Sequence, residues 1–127
     1  MKFNPQKTAF LFPGQGSQKI GMGQELAEIY PIARKTFEEA DQILGFSLSE
    51  IMWEKEGELN DTANTQPALF VHSIAAWRVF SELAPEFEPA FVSGHSLGEL
   101  SALAVAGSLT FADGLRLVRQ RGELMHH

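Results

Sequence analysis

The chain has 127 residues, 44% of them hydrophobic and 20% charged, which is the composition of one modest globular domain. Its net charge of -6 argues against a general nucleic-acid-binding surface. The lack of cysteine excludes disulfides and a thiol nucleophile, and the four histidines show no metal-binding spacing, so no metal site is predicted. The N-terminus does not read as a signal peptide, and no apolar run approaches a membrane span. We therefore expect a cytoplasmic protein with no membrane partner.

The first predicted element is a short buried strand over residues 8–12, followed by a glycine-rich loop over residues 14–18. This loop resembles a phosphate-binding loop only loosely. The dinucleotide-binding pattern requires glycine where Lys19 stands, and a Walker loop requires lysine where Met22 stands. Both of these nucleotide-binding readings are rejected.

The rest of the chain reads mostly as helices. In chain order we predict helices from about Gln24 and from Pro31 to Gly45, a polar loop over residues 60–66, an apolar helix from Pro67 to about Leu83, a strand over residues 90–93, and helices over residues 97–106 and from Phe111 to about Met125. This order predicts an α/β fold with parallel strands. Two strands do not make a stable parallel sheet, so we expect the first part of a larger α/β domain. A small, mainly helical domain is the alternative.

The pentapeptide Gly94-His95-Ser96-Leu97-Gly98 has the Gly-x-Ser-x-Gly form of a nucleophile elbow, and it stands between a predicted strand and a small-residue helix. Ser96 is the predicted nucleophile, and the Leu97 backbone N–H at the helix start is a predicted oxyanion donor. A second donor must come from another loop. His95 is expected to be a turn residue, since triad bases usually come from elsewhere in the chain. An ordinary tight turn is the alternative reading.

Arg121 stands out in the last predicted helix. At 100° per residue it projects from the middle of the apolar side of that helix. The apolar side comprises Phe111, Leu115, Leu117, Val118, Leu124 and Met125, and the opposite side comprises Arg116, Arg119, Gln120 and Glu123. A guanidinium so placed needs a carboxylate partner or an opening to a cavity. We interpret Arg121 as a clamp for an anionic substrate, with a structural ion pair or a snorkelling side chain as the alternative.

Four segments together resemble the FabD-like family of malonyl-CoA:acyl carrier protein transacylases: residues 12–18, residues 65–69, residues 94–99 and the pair Arg121-Gly122. The resemblance covers essentially the whole chain but less than half of a typical member. It implies that residues 1–127 are the N-terminal part of the large subdomain, which has an α/β-hydrolase-like core. An inserted ferredoxin-like subdomain and the C-terminal part would then be absent from this chain.

The resemblance also implies roles for individual residues. Ser96 would take the malonyl group as an ester and pass it to the phosphopantetheine thiol of acyl carrier protein. The backbone N–H groups of Gln15 and Leu97 would form the oxyanion hole, and Arg121 would hold the free carboxylate of malonyl. Gln66 would lie near the active site, and His95 is a further candidate for its lining. Malonyl-CoA would be the substrate, with no permanently bound cofactor.

In this family the general base is a histidine far downstream of residue 127. His126 and His127 are not expected to supply it, so the chain by itself is expected to be nearly inactive. Two rival functions stay open. A serine esterase would hydrolyse simple esters without preferring an anionic acyl group, and a non-catalytic module would bind carrier protein without forming an acyl-enzyme. Docking of the acidic carrier would need a basic patch, for which Arg116 with Arg119 is one candidate and a merely solvated helix face the alternative.

Overall fold

The computed structural model describes residues 3–126, which form two short strands and seven α-helices. A single 3₁₀ turn, Pro5–Lys7, precedes the first strand. The elements are β1 (Ala9–Phe12), α1 (Gln24–Ile29), α2 (Pro31–Leu44), α3 (Leu48–Glu54), α4 (Glu56–Leu59), α5 (Thr62–Leu83), β2 (Phe91–Gly94), α6 (Leu97–Val105) and α7 (Phe111–His126).

The two strands pair in parallel, with Ala9 opposite Phe91 and Phe12 opposite Gly94. The predicted α/β fold with parallel strands is therefore confirmed. Because both strands end at the same edge, the loop after β1 and the turn after β2 leave the sheet side by side. The carboxyl ends of parallel strands are where ligands bind in open α/β sheets.

The core is built around α5, which packs against α2, α6 and α7. Eleven of its residues are buried, including Phe70, which is fully inaccessible. α7 contributes Leu115 and Val118 to the same core, and α2 contributes Phe37. Packing against these three helices thus fixes the position of α5.

The start of α5 differs from the prediction. The polar stretch 60–66 was expected to be a loop with Pro67 opening the helix, but the helix begins at Thr62 and contains Pro67. The Asp61 side chain caps it by accepting a hydrogen bond from the Ala63 N–H at 3.1 Å. Capping at the first turn and burial of Pro67 outweigh the preference of proline for the first helical position.

Other helices also refine the prediction. α3 and α4 were not predicted, although Ser47 caps α3 through its hydroxyl. α7 begins as expected, with Thr110 capping the Asp113 N–H at 3.1 Å. The apolar face predicted for this helix has a buried part and an exposed part. The buried residues are Phe111, Leu115 and Val118. The exposed residues are Leu117, Leu124 and Met125. Within residues 3–126, none of the helices has the length and hydrophobicity that a membrane span requires.

Candidate active site

The turn between β2 and α6 holds Ser96 in a strained conformation. Its φ of 55° and ψ of -109° make it the one non-glycine residue with positive φ in the described part of the chain. Such a conformation costs about 1–3 kcal/mol and persists only when the surroundings impose it. The Ser96 side chain does not cap α6. Ser96 is exposed at the start of the helix.

Both glycines of the pentapeptide lie in close contact with the backbone of other residues. A Cβ atom at Gly94 would overlap the carbonyl oxygen of Gly98, and a Cβ atom at Gly98 would overlap the carbonyl oxygen of Phe12. Helix α6 therefore lies directly against the end of β1. A side chain at either position would prevent this close approach of strand and helix.

Gly98→Ala is expected to destabilise the fold by about 3 kcal/mol, because the new methyl group meets backbone that cannot move aside. Gly57→Ala is the matched control, since Gly57 is also helical and a Cβ there would meet nothing within 4 Å. The control should stabilise by up to about 1 kcal/mol through helix propensity. Urea midpoints of the intact gene product check both signs. A midpoint for Gly98→Ala at or above that of wild type would contradict the packing described here.

The glycine-rich loop after β1 is held beside the Ser96 turn. Gly14 is buried against the carbonyl group of His95, where a side chain would clash. The Gln15 side chain reaches across to α5, where its Nε2 donates to Thr62 Oγ1 at 2.9 Å. Gln18 stabilises the loop from within, because its Oε1 accepts from the Gly16 N–H at 2.7 Å. The loop is thus fixed between the first turn of α5 and the Ser96 turn.

The predicted oxyanion donors, Gln15 and Leu97, lie on these two adjacent segments. Neither backbone N–H donates to an acceptor among residues 3–126. Leu97 is buried at the first position of α6, where a helix leaves its N–H groups without intrahelical partners. Both N–H groups therefore keep their hydrogen-bonding capacity for a ligand.

Arg121 reaches from α7 to the Ser96 hydroxyl. Its Nη2 donates to Ser96 Oγ at 3.0 Å, and its Nη1 donates to Gln66 Oε1 at 2.6 Å. No carboxylate of residues 3–125 lies within 4 Å of the guanidinium, so the alternative of a structural ion pair is not found in this part of the chain. The charge is held by neutral acceptors and stays available to an anionic ligand.

Gln66 anchors this arginine from inside the protein. Its side chain is fully buried, and its Nε2 donates to Met125 Sδ at 3.3 Å while its Oε1 receives the bond from Arg121. The amide is thereby oriented with its oxygen toward the guanidinium. Gln66 belongs to the site through Arg121, a contact that spacing in the sequence did not indicate.

Two histidine side chains, those of His72 and His95, are among the described residues. His95 is exposed at the turn, and its backbone N–H donates to the carbonyl of Phe12 at 3.3 Å. His72 lies on α5 beside Pro13, and burial lowers its pKa. No imidazole of residues 3–125 is hydrogen-bonded to Ser96 Oγ. His127 lies outside the described residues, as does the side chain of His126.

A cavity of about 650 Å³ opens beside Ser96 and Arg121. One end carries the hydroxyl and the guanidinium, and apolar side chains from α6 and α7 form most of the remaining wall. The lining residues are Ser96, Glu99, Leu100, Leu117, Gln120, Arg121, Leu124 and Met125. The exposed apolar residues of α7 thus belong to the wall of this cavity. Its size and its mixed lining suit a small-molecule ligand with an anionic end.

Two contributors were not predicted from the sequence. Thr62 fixes the glycine-rich loop through Gln15, although the sequence around Thr62 was predicted to be a polar loop.

The sequence analysis placed Arg119 on the solvated side of the last helix. In the structure Arg119 is half-buried against the start of α5, so one of the two arginines of the suggested basic patch is engaged within the fold. Arg116 is exposed and pairs with Asp113 at 3.6 Å. The sequence did contain one indication of this contact. Pro67 has no N–H to donate to the carbonyl of Ala63, four residues earlier, so that carbonyl was available to a side chain such as Arg119.

Known proteins match this chain over nearly its whole length. The family model described as "Acyl transferase domain" matches residues 9–127. The malonyl CoA-acyl carrier protein transacylase of Bacillus subtilis (strain 168) is 52% identical over 121 residues, which are 94% of this chain and 38% of that protein.

Solved structures agree with this match. The crystal structure of FabD from Acinetobacter baumannii superposes with a TM-score of 0.90 at 52% identity, over 96% of this chain and 38% of that one. A type II PKS acyl-carrier protein in complex with its malonyl-transacylase gives a TM-score of 0.88 at 47% identity, over 92% and 38% respectively. The chain therefore spans somewhat more than a third of the length of these relatives. Since the family match extends over nearly all of its residues, the chain belongs to the acyl transferase domain family.

Proposed function

We propose that the intact protein transfers a malonyl group from malonyl-CoA to the phosphopantetheine thiol of acyl carrier protein, through an ester on Ser96. The observation that carries the proposal is the Arg121 guanidinium, which lies 3.0 Å from the Ser96 hydroxyl without a carboxylate partner among the described residues. A free cation beside a strained serine suits an acyl group that ends in a carboxylate. The names of the relatives support the same substrate pair.

Ser96 acts as the nucleophile at the tip of a nucleophile elbow. Its Oγ attacks the thioester carbonyl carbon and its proton passes to a general base, while the negative charge of the tetrahedral intermediate is stabilised by the N–H groups of Gln15 and Leu97. The C–S bond then breaks, and coenzyme A leaves as a thiol after taking a proton. In the second half the phosphopantetheine thiol gives its proton to the base and attacks the Ser96 ester, the C–O bond breaks, and the serine oxygen takes a proton, so that the enzyme is restored.

Arg121 binds the free carboxylate of malonyl, and Gln66 orients Arg121. The general base is proposed to be a histidine downstream of residue 127, as in the family that the sequence resembles. Residues 1–127 would be the N-terminal part of the large subdomain. Because loss of a triad base costs several orders of magnitude in rate, the chain by itself should form the ester only slowly.

The proposal requires no permanently bound cofactor, since the acyl group arrives activated as a thioester. Its protein partner is acyl carrier protein, and the coenzyme A thioester is its other ligand. One structural relative is a complex of an acyl-carrier protein with its malonyl-transacylase, which supports this choice of partner. We place the reaction in the cytoplasm and in fatty acid biosynthesis.

The mass of the intact gene product after incubation with malonyl-CoA tests this function. We expect a malonyl-sized mass gain that maps to Ser96 and disappears when acyl carrier protein is added, because the ester passes to the thiol. The chain of residues 1–127, assayed beside it, should gain that mass far more slowly. An intact gene product that gains no mass would refute the proposal.

The same assay separates the rival functions. A serine esterase would hydrolyse aryl acetates quickly, and its acyl-enzyme would decay in water without carrier protein. A non-catalytic module would bind carrier protein equally well before and after Ser96→Ala and would never carry an acyl group. The position of Arg121 favours the transferase over both, since neither rival needs a cation beside the serine.

A further inference from the structure

Proline inside helix α5 removes one of the backbone donors of that helix. Pro67 has no N–H, so the carbonyl oxygen of Ala63, four residues earlier, lacks its usual helical donor. The site is half-buried beside α7, where an unpaired carbonyl costs about 1–3 kcal/mol. A donor from outside the helix therefore stabilises the first turn of α5.

Arg119 of α7 supplies that donor. Its Nη1 lies 2.7 Å from the Ala63 carbonyl oxygen and 2.7 Å from Asn64 Oδ1. The guanidinium is held from its other sides as well, since its Nε donates to Glu123 Oε1 at 2.8 Å and its Cζ lies 4.8 Å from the centre of the Phe46 ring. An arginine fixed by four groups is a rigid link between α7 and the start of α5.

The turn that Arg119 holds carries two contacts of the candidate active site. Thr62 accepts the hydrogen bond from Gln15, which fixes the glycine-rich loop. Gln66, at the next turn, accepts the bond from Arg121. α7 passes close to this turn, because a Cβ atom at Gly122 would lie 2.9 Å from the Thr62 carbonyl oxygen. A small shift of the turn would thus move Gln15 and Gln66 together.

We propose that Arg119 is a positioning residue of the acyl transfer reaction, because it occupies the carbonyl left open by Pro67 and so holds the α5 turn that orients both Gln15 and Gln66. The inference rests on the proposed function for its catalytic consequence. Arg119 itself is directed away from Ser96, onto the α5 turn. Its effect on the reaction passes through Gln66 to Arg121, and through Thr62 to the glycine-rich loop.

The test replaces Arg119 with methionine in the intact gene product and uses Arg116→Met as the matched control. Arg116 is on the same helix and carries the same charge, but it is exposed and pairs only with Asp113 among the described residues. We expect Arg119→Met to raise the KM for malonyl-CoA and to reduce the preference for malonyl-CoA over acetyl-CoA about tenfold, because Gln66 no longer aims Arg121. In the acylation half-reaction, which needs no carrier protein and so does not involve the candidate docking patch, the control should stay within about twofold of wild type.

A second substitution tests the carbonyl itself. Pro67→Ala returns an N–H to the position that bonds the Ala63 carbonyl, so the double variant Pro67→Ala/Arg119→Met should regain most of the lost preference. Equal preference in wild type and Arg119→Met, or a loss that Pro67→Ala leaves unchanged, would overturn the proposal. A general loss of stability would not change the preference per folded site.

Hydrogen exchange gives a readout that does not depend on catalysis. The amides of residues 63–66 should exchange faster in Arg119→Met than in wild type or Arg116→Met, and Pro67→Ala should restore their protection. This result is expected even if wild type forms no malonyl ester, in which case the proposed function and its catalytic consequence fail while the structural link from Arg119 to the α5 turn stands. Unchanged exchange in Arg119→Met would overturn the positioning role whatever the activity.

Discussion

Ser96→Ala is expected to abolish malonyl transfer, with kcat reduced by about 10⁴-fold or more in the intact gene product. Alanine keeps the Cβ atom, so the backbone at φ 55° is no more strained than before, and only the hydroxyl is lost. Losing the nucleophile of a serine enzyme removes the covalent route altogether and leaves only the catalysis that oxyanion donors and binding supply. Steady-state transfer to acyl carrier protein and the mass of the protein after incubation with malonyl-CoA measure both consequences.

Ser93→Ala is the matched control for that experiment. Ser93 lies on β2, three residues before Ser96, and is exposed. It should transfer malonyl at the wild-type rate and carry the same mass gain. A malonyl adduct that persists in Ser96→Ala would show that another residue is acylated, and would contradict the assignment of Ser96 as nucleophile.

Arg121→Ala is expected to lower kcat/KM for malonyl-CoA by about a hundredfold or more. Hydrogen bonds to charged groups contribute about 1.5–3 kcal/mol each, so the loss of a two-pronged contact with a carboxylate costs about 3 kcal/mol or more. Transfer of acetyl, which has no carboxylate, should fall much less or rise. Parallel kinetics with malonyl-CoA and acetyl-CoA measure this difference.

Two further variants define the cause of that effect. Arg121→Lys keeps the charge but loses the fork of parallel donors, and we expect an intermediate loss of malonyl transfer. Arg116→Ala removes an exposed arginine of the same helix and should change neither substrate by more than about twofold. Equal losses for malonyl-CoA and acetyl-CoA in Arg121→Ala would contradict a carboxylate-binding role.

Local sequence patterns predicted most of the fold because the forces behind them are local. Gly45 ends α2 in the left-handed conformation, Thr110 caps α7, and the pentapeptide places Ser96 at a strand-to-helix turn. Each of these features depends on residues a few positions apart. α5 was misjudged at its start because proline was read by its position preference alone. Burial of Pro67 and an external donor for the Ala63 carbonyl outweighed that preference.

The sequence by itself determined the serine turn, the glycine-rich loop and the position of Arg121 on the apolar side of its helix, since these depend on residue type and short-range spacing. Only the tertiary structure decided which of these side chains contact one another. Arg121 lies 25 residues from Ser96 along the chain, and Gln66 lies 55 residues from Arg121, yet hydrogen bonds of 3.0 and 2.6 Å join them. Parallel pairing of β1 with β2 and the packing of α7 on α5 create those contacts, and no local pattern encodes them.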